Sequence, residues 1–245
     1  VMTESGSHAS IKHIQSPEGR FELLFDAGSW PQLTEQQFSP SGYAMAQAVA
    51  GQGGRGSAWF VQTPAGDAVL KHYLRGGLLA NFVHDRYLYI GNARTRGFRE
   101  FNLLQKLSKR GLPVPKPLAA FCRRGLLSYR AALVTERLQD VISMVTAVQQ
   151  RTTPWQAVGE ALARFHKAGA HHSDLNANNI LLNAHGDVFV IDWDKGRLET
   201  APGAWCEKVL ARLHRSLAKE CAQSDAQSLQ LGVQQMLNAY QQAMR

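Results

Sequence analysis

His172-Ser-Asp-Leu-Asn-Ala-Asn-Asn-Ile-Leu-Leu182, a turn through Gly186-Asp187, and then Val188-Phe-Val-Ile-Asp192 form the stretch that decides how this chain is read. One Asp stands two residues after a His, an Asn follows five later, and a second Asp closes an apolar run. Phosphoryl transfer needs this spacing. One loop presents a carboxylate beside an attacking hydroxyl and an amide oxygen to a metal, and the next hairpin returns a second carboxylate to that metal. Asp174 is thus the candidate base, and Asn179 and Asp192 are the candidate metal ligands. Singly, each has a plainer reading: His-x-Asp often marks a turn, and a strand-ending Asp often caps one. As a set, crowded by Asn176 and Asn178, they point to a catalytic loop.

Working outward, Ala68-Val-Leu-Lys71 closes an apolar strand on a lysine, near the Val-Ala-Ile-Lys form that pairs nucleotide phosphates. Glu100 falls on the leucine face of a helix that carries Leu103, Leu104 and Leu107, where an unpaired charge is costly. A Lys71–Glu100 ion pair resolves both oddities. Gly51-Gln-Gly-Gly-Arg-Gly56, followed by Ser57, fits Gly-x-Gly-x-x-Gly ahead of a strand, which suits a hairpin covering phosphates; a plain glycine-rich loop is the alternative. The order Gly51, Gly53, Gly56, Lys71, Glu100, Asp174, Asn179, Asp192 is that of the protein-kinase-like fold.

The remaining pattern agrees with an α+β chain. Residues 57–62 and 68–71 read as a hairpin, 94–110 as a helix stopped by Gly111, and 118–121 and 130–135 as strands around Gly125. Residues 44–50 read as a short helix. Thr153, Pro154 and Gln156 read as a capping box opening a helix that Gly169 ends. Residues 179–182 and 188–191 read as strands, and the tail from Trp205 to Met244 as helix. Strands precede about residue 135 and helices follow it. This predicts two lobes, a β-rich one over 1–137 (with 1–20 loosely ordered) and a mainly helical catalytic one over 138–245.

Composition bounds the function. The 245 residues are 44% apolar and 19% charged, enough for a buried core. No apolar run approaches the ~20 residues of a membrane span, and the first residues lack a signal-peptide core, so a cytosolic protein is expected. Cys122, Cys206 and Cys221 are sparse and odd in number, which fits unpaired thiols rather than a metal knuckle. The formal charge is +8, yet the first fifty residues carry two basic and five acidic side chains. Residues 71–110 hold nine Lys/Arg against two acids. Such a block faces an anionic membrane, a phosphorylated acceptor or plain solvent; no nucleic-acid motif accompanies it.

The segments His72-Tyr-Leu-Arg-Gly-Gly-Leu-Leu-Ala80, Arg94-Thr-Arg-Gly-Phe-Arg-Glu-Phe101, Gly111-Leu-Pro-Val-Pro-Lys-Pro117, His172–Leu181 and Ile191-Asp-Trp-Asp-Lys-Gly196 resemble those of the lipopolysaccharide-core kinases of Gram-negative bacteria. The likeness covers most of the chain after about residue 50. It implies a protein-kinase-like two-lobed fold and ATP- and Mg²⁺-dependent phosphorylation of a hydroxyl, O-4, on the 3-deoxy-D-manno-octulosonic acid (Kdo) sugar of a lipid A precursor. The implied place is the cytoplasmic face of the inner membrane, with the protein peripheral to it. By position, Asp174 is the base, Asn179 and Asp192 hold Mg²⁺, and Lys71 fixed by Glu100 binds ATP phosphates under Gly51, Gly53, Gly56 and Ser57. Thr135-Glu136-Arg137-Leu138 is the hinge beside adenine. A heptose kinase or another small-molecule kinase, and an inactive kinase-like binding module, are the alternatives; the full set of Asp174, Asn179, Asp192 and Lys71 speaks against the last.

Four departures shape the expectation. Asn176 stands where protein kinases carry a lysine two after the base, and little chain follows Asp192, so no protein substrate is expected. Trp193-Asp194 replaces the usual Phe-Gly. The 28 residues between Lys71 and Glu100 exceed a strand-to-helix turn. Arg75, Arg86, Arg94 and Arg96 there are candidate contacts to an anionic acceptor or the membrane surface, with a surface loop as the alternative.

Overall fold

The computed structural model describes residues 11–17, 21–49, 58–73, 87–88, 95–124 and 128–245. The chain divides into two compact units: Val1–Asn102 with Lys116–Arg137, and Leu103–Pro115 with Leu138–Arg245. The division falls inside a helix.

In the first unit, strands β1 (Ile11–Gln15), β2 (Phe21–Asp26), β3 (Ala46–Ala48), β4 (Ala58–Thr63), β5 (Gly66–His72) and β6 (Tyr87–Leu88) precede helix α1 (Arg96–Lys109). Strands β7 (Pro117–Arg124) and β8 (Ser128–Glu136) follow it. The sheet runs β1-β2-β7-β8-β5-β4-β3, with β6 also on β8. Every pairing is antiparallel. Its core joins Leu23, Phe25, Trp30, Phe38, Leu70, Phe121 and Val134. Phe38 stacks on Phe121 at 5.0 Å. β2 lies between β1 and β7 and is buried almost throughout. Two expectations fail here. Residues 11–15, read as loose, form β1, whose polar side chains conceal a backbone that completes the ladder on β2. Residues 46–48, read as helix, form β3, where Ala46 pairs with Val61 and Ala48 with Trp59. Alanines favour helix weakly, and a free strand edge overrides that preference.

The second unit holds β9 (Val141–Ser143), α2 (Met144–Gln149), α3 (Trp155–Lys167), β10 (Ala170–His172), β11 (Ile180–Asn183), β12 (Val188–Val190), β13 (Gly196–Leu198), α4 (Ala204–Glu220) and α5 (Ala226–Met244). Helices α3 and α5 pack at close range. A Cβ on Gly159 would stand 2.2 Å from the Met236 carbonyl oxygen, and one on Gly232 would stand 2.2 Å from the Trp155 indole. The capping box does not form. Pro154 occupies the N-cap, no side chain caps the helix, Thr153 Oγ1 is buried without a partner, and Gln156 donates to Glu160. Packing of the Trp155 ring on Gly232 sets the helix start instead. Two small antiparallel sheets remain, β12-β11-β9 and β10-β13. The chain passes between them twice, by the loop from β10 to β11 and by the loop from β12 to β13.

Thus the α+β reading holds, with a large antiparallel sheet and a helical second unit. Among the described residues, no helix is long and apolar enough to cross a membrane. The three cysteines are buried and none forms a disulfide.

Candidate active site

In the first unit, strand alternation puts Lys71 and Tyr73 on one side of β5's end. Lys71 Nζ donates to Glu100 Oε2 at 3.0 Å and Oε1 at 3.3 Å. The Tyr73 hydroxyl donates to the same Oε2 at 2.6 Å. Glu100 is 3% exposed, so these charge-assisted bonds offset the cost of burying its carboxylate. The Lys71 ammonium and the Arg96 guanidinium lie 5.0 and 5.1 Å from the Tyr73 ring centre. Gly97 lets α1 approach the sheet: a Cβ there would stand 2.9 Å from the Ala132 carbonyl oxygen. At the end of β8, the N–H groups of Glu136 and Arg137 donate to Lys116 O and Asp67 O. Burial raises the Glu136 carboxyl above its ordinary range.

In the second unit, the two crossing loops are stitched together. His172 pairs with Gly196 in the β10–β13 ladder, and Ile180 pairs with Val190 in the β11–β12 ladder. Between these, both peptide groups of Ile191 are held: its N–H donates to Asn179 O at 2.9 Å, and its carbonyl accepts from His172 Nε2 at 3.0 Å. The Asp174 N–H donates to His172 Nδ1, which leaves Nε2 as the nitrogen that carries the hydrogen. Clamped so, the chain takes a left-handed turn at Asp192, φ 63°. A left-handed aspartate is uncommon and costs strain, a mark of functional loops. Asn179 Nδ2 donates to the Asp174 carbonyl at 3.4 Å, and its Oδ1 has no partner among the described residues.

Asp174 itself is bracketed by cations. Lys195 Nζ donates to Oδ2 at 2.6 Å, and Arg212 on α4 pairs with Oδ1. The Lys195 hydrogen bond, reinforced by the charges of Lys195 and Arg212, holds the Asp174 carboxyl below its usual range against the opposing effect of burial. Helix α4 is fixed to the loop by Ser216 Oγ, which accepts from the Ala177 N–H at 3.1 Å.

The chain matches the lipopolysaccharide kinase (Kdo/WaaP) family over residues 44–240. It belongs to that family. A protein from Stenotrophomonas maltophilia named 3-deoxy-D-manno-octulosonic acid kinase is 44% identical over 244 residues, 99% of this chain and 98% of the relative. One of that name from Xanthomonas axonopodis pv. citri is 49% identical over 199 residues, 80% of each chain. Another, from Xanthomonas oryzae pv. oryzae, is 44% identical over 223 residues, 90% of each.

For a member of the Kdo/WaaP family, the departures noted in the sequence acquire structural reasons. Trp193, where other kinases have Phe, is 1% exposed, stacks on Phe165 at 5.5 Å and packs on the His172 ring at 4.8 Å. Its indole N–H donates to Val190 O. The lysine missing at Asn176 has a counterpart in Lys195, which reaches Asp174 from the neighbouring loop. Sequence reasoning overlooked Tyr73, Lys195 and Arg212. Tyr73 could have been found from its period-two relation to Lys71. Arg212 had no local signal, since α4 lies far along the chain. Gly51, Gly53, Gly56, Ser57, Arg75, Arg86 and Arg94 lie outside the described residues.

Among the described residues, no three His, Cys, Asp or Glu side chains gather as a metal cage. Asn179 Oδ1 and the Asp192 carboxylate are hard oxygen donors on adjoining loops. This fits Mg²⁺, which takes one or two protein ligands and completes its shell with phosphate and water.

Proposed function

We propose that this chain is an ATP-dependent kinase that phosphorylates a Kdo hydroxyl, O-4, of a Kdo-bearing lipid A precursor in lipopolysaccharide core biosynthesis. The observation that carries the reading is 44% identity along 99% of the chain to a relative named 3-deoxy-D-manno-octulosonic acid kinase. The geometry of each unit supports it.

In the first unit, Lys71, held by Glu100 and Tyr73, binds phosphates of ATP. Gly51, Gly53, Gly56 and Ser57 cover them. The N–H groups of Glu136 and Arg137 are spent on the sheet, so adenine is read by the Glu136 carbonyl and the Leu138 N–H. In the second unit, Asn179 and Asp192 would hold Mg²⁺, which would supply positive charge to neutralise the phosphate oxygens. Asp174 accepts a hydrogen bond from the acceptor hydroxyl and takes its proton as that oxygen bonds to the γ-phosphorus and the bond to the β-phosphate oxygen breaks. The lipid-borne acceptor places the protein peripherally at the cytoplasmic face of the inner membrane.

The test is incubation of Kdo-bearing lipid A with enzyme, ATP and Mg²⁺, followed by mass spectrometry with fragmentation. A gain of one phosphate on the Kdo residue is expected, and a gain elsewhere or none overturns the reading. Asp174→Ala should lower turnover by about 10²- to 10⁴-fold while ATP binding persists.

A further inference from the structure

Asp174 is a general base whose two oxygens are both engaged by side-chain cations, Lys195 on Oδ2 and Arg212 on Oδ1. An acceptor hydroxyl has to displace at least one of them, and a displaced cation needs a new anion close by. Two hydrogen bonds in series span only about 6 Å, so that anion is either the γ-phosphate of ATP or a group on the same sugar as the attacked hydroxyl. Phosphates of a lipid anchor lie at least a sugar ring further off. Both side chains are accessible, and both grip a carboxylate in this structure. Arg212 also projects from a helix tied to the catalytic loop through Ser216. A guanidinium is planar and forked and matches a carboxylate bidentately, whereas an ammonium acts as a point charge.

We infer that Arg212 and Lys195 form an acceptor-carboxylate subsite, transferring from Asp174 to the carboxylate of the sugar acid when the acceptor binds. The inference rests on the proposed sugar-acid acceptor. It makes acidity of the sugar a contributor to catalysis: a sugar carboxylate receives the cations that the base gives up. A neutral sugar in the same place offers Arg212 no such partner. Arg212 is then the principal determinant of sugar-acid over neutral-sugar acceptors, and Lys195 the auxiliary one.

The experiment compares Kdo-bearing lipid A with its Kdo methyl ester as acceptors for the wild type, Arg212→Gln and Arg212→Lys. In the wild type, esterification should lower kcat/KM by about 10- to 100-fold, the range for losing a hydrogen bond to a charged group. In Arg212→Gln the acid and the ester should be used almost equally, and Arg212→Lys should fall between. KM for ATP should be unchanged in all three. Removing the lipid phosphates should affect wild type and Arg212→Gln alike. Wild-type discrimination preserved in Arg212→Gln, or wild type that treats acid and ester equally, overturns the subsite. Wild type that transfers phosphate to neither acceptor overturns the proposed function and the subsite with it.

Discussion

As the proposed base, Asp174 has to be ionised before it can receive a proton, and Lys195 keeps it so at the expense of proton affinity. Its carboxyl lies below the ordinary range chiefly because of the Lys195 hydrogen bond. The acid limb of kcat/KM against pH reports the base in the free enzyme, so it should lie low in the wild type. Replacing Lys195 by Met removes the largest stabilisation of the ionised form, raises the carboxyl's proton affinity, and should move that limb to higher pH. An unmoved limb would mean that another group titrates there. The same residues show what a sequence can convey. Lys71 and Glu100 pair in the sequence reading because a lysine ending an apolar strand and a glutamate on an apolar helix face each require a partner, and they stand 3.0 Å apart. Tyr73 is marked only by its period-two relation to Lys71, and Arg212 by nothing, because an arginine on a distant helix leaves no mark in local spacing.

At the scale of elements, hairpins were the legible part. The β4–β5 and β11–β12 pairs follow from apolar runs joined by short polar turns, and Asn183 secures the second turn by accepting from the His185 and Asp187 N–H groups. Elements whose existence depends on a neighbour were not legible. Strand β3 exists because β4 offers an edge, and α3 begins where Trp155 meets Gly232. The α3–α5 contact yields a prediction whose sign is diagnostic. In an open helix, Gly→Ala gains about 1 kcal/mol. At Gly159 the added methyl would stand 2.2 Å from the Met236 carbonyl oxygen, and the helices must part to admit it. Overpacking of this kind costs about 1–3 kcal/mol or more, so Gly159→Ala should lower the urea midpoint at an unchanged m-value. A raised midpoint would show that the helices separate freely.

Considered whole, the molecule carries +8 formal charge with an acidic first fifty residues and a basic remainder. Among the described residues no helix is long and apolar enough to cross a membrane, and the basic remainder offers the proposed encounter with a lipid-borne acceptor an electrostatic route. Near an anionic leaflet each Lys or Arg contributes about 1 kcal/mol, and at physiological salt the attraction fades over roughly 8 Å. Few side chains therefore suffice, and they must stand close to the lipid. The protein should float with vesicles containing anionic phospholipid, leave them as sodium chloride is raised, and ignore vesicles of zwitterionic lipid alone. Hydrophobic insertion would instead survive salt. Salt-resistant or charge-indifferent flotation would refute electrostatic attachment and leave hydrophobic insertion as the means by which the protein meets its acceptor.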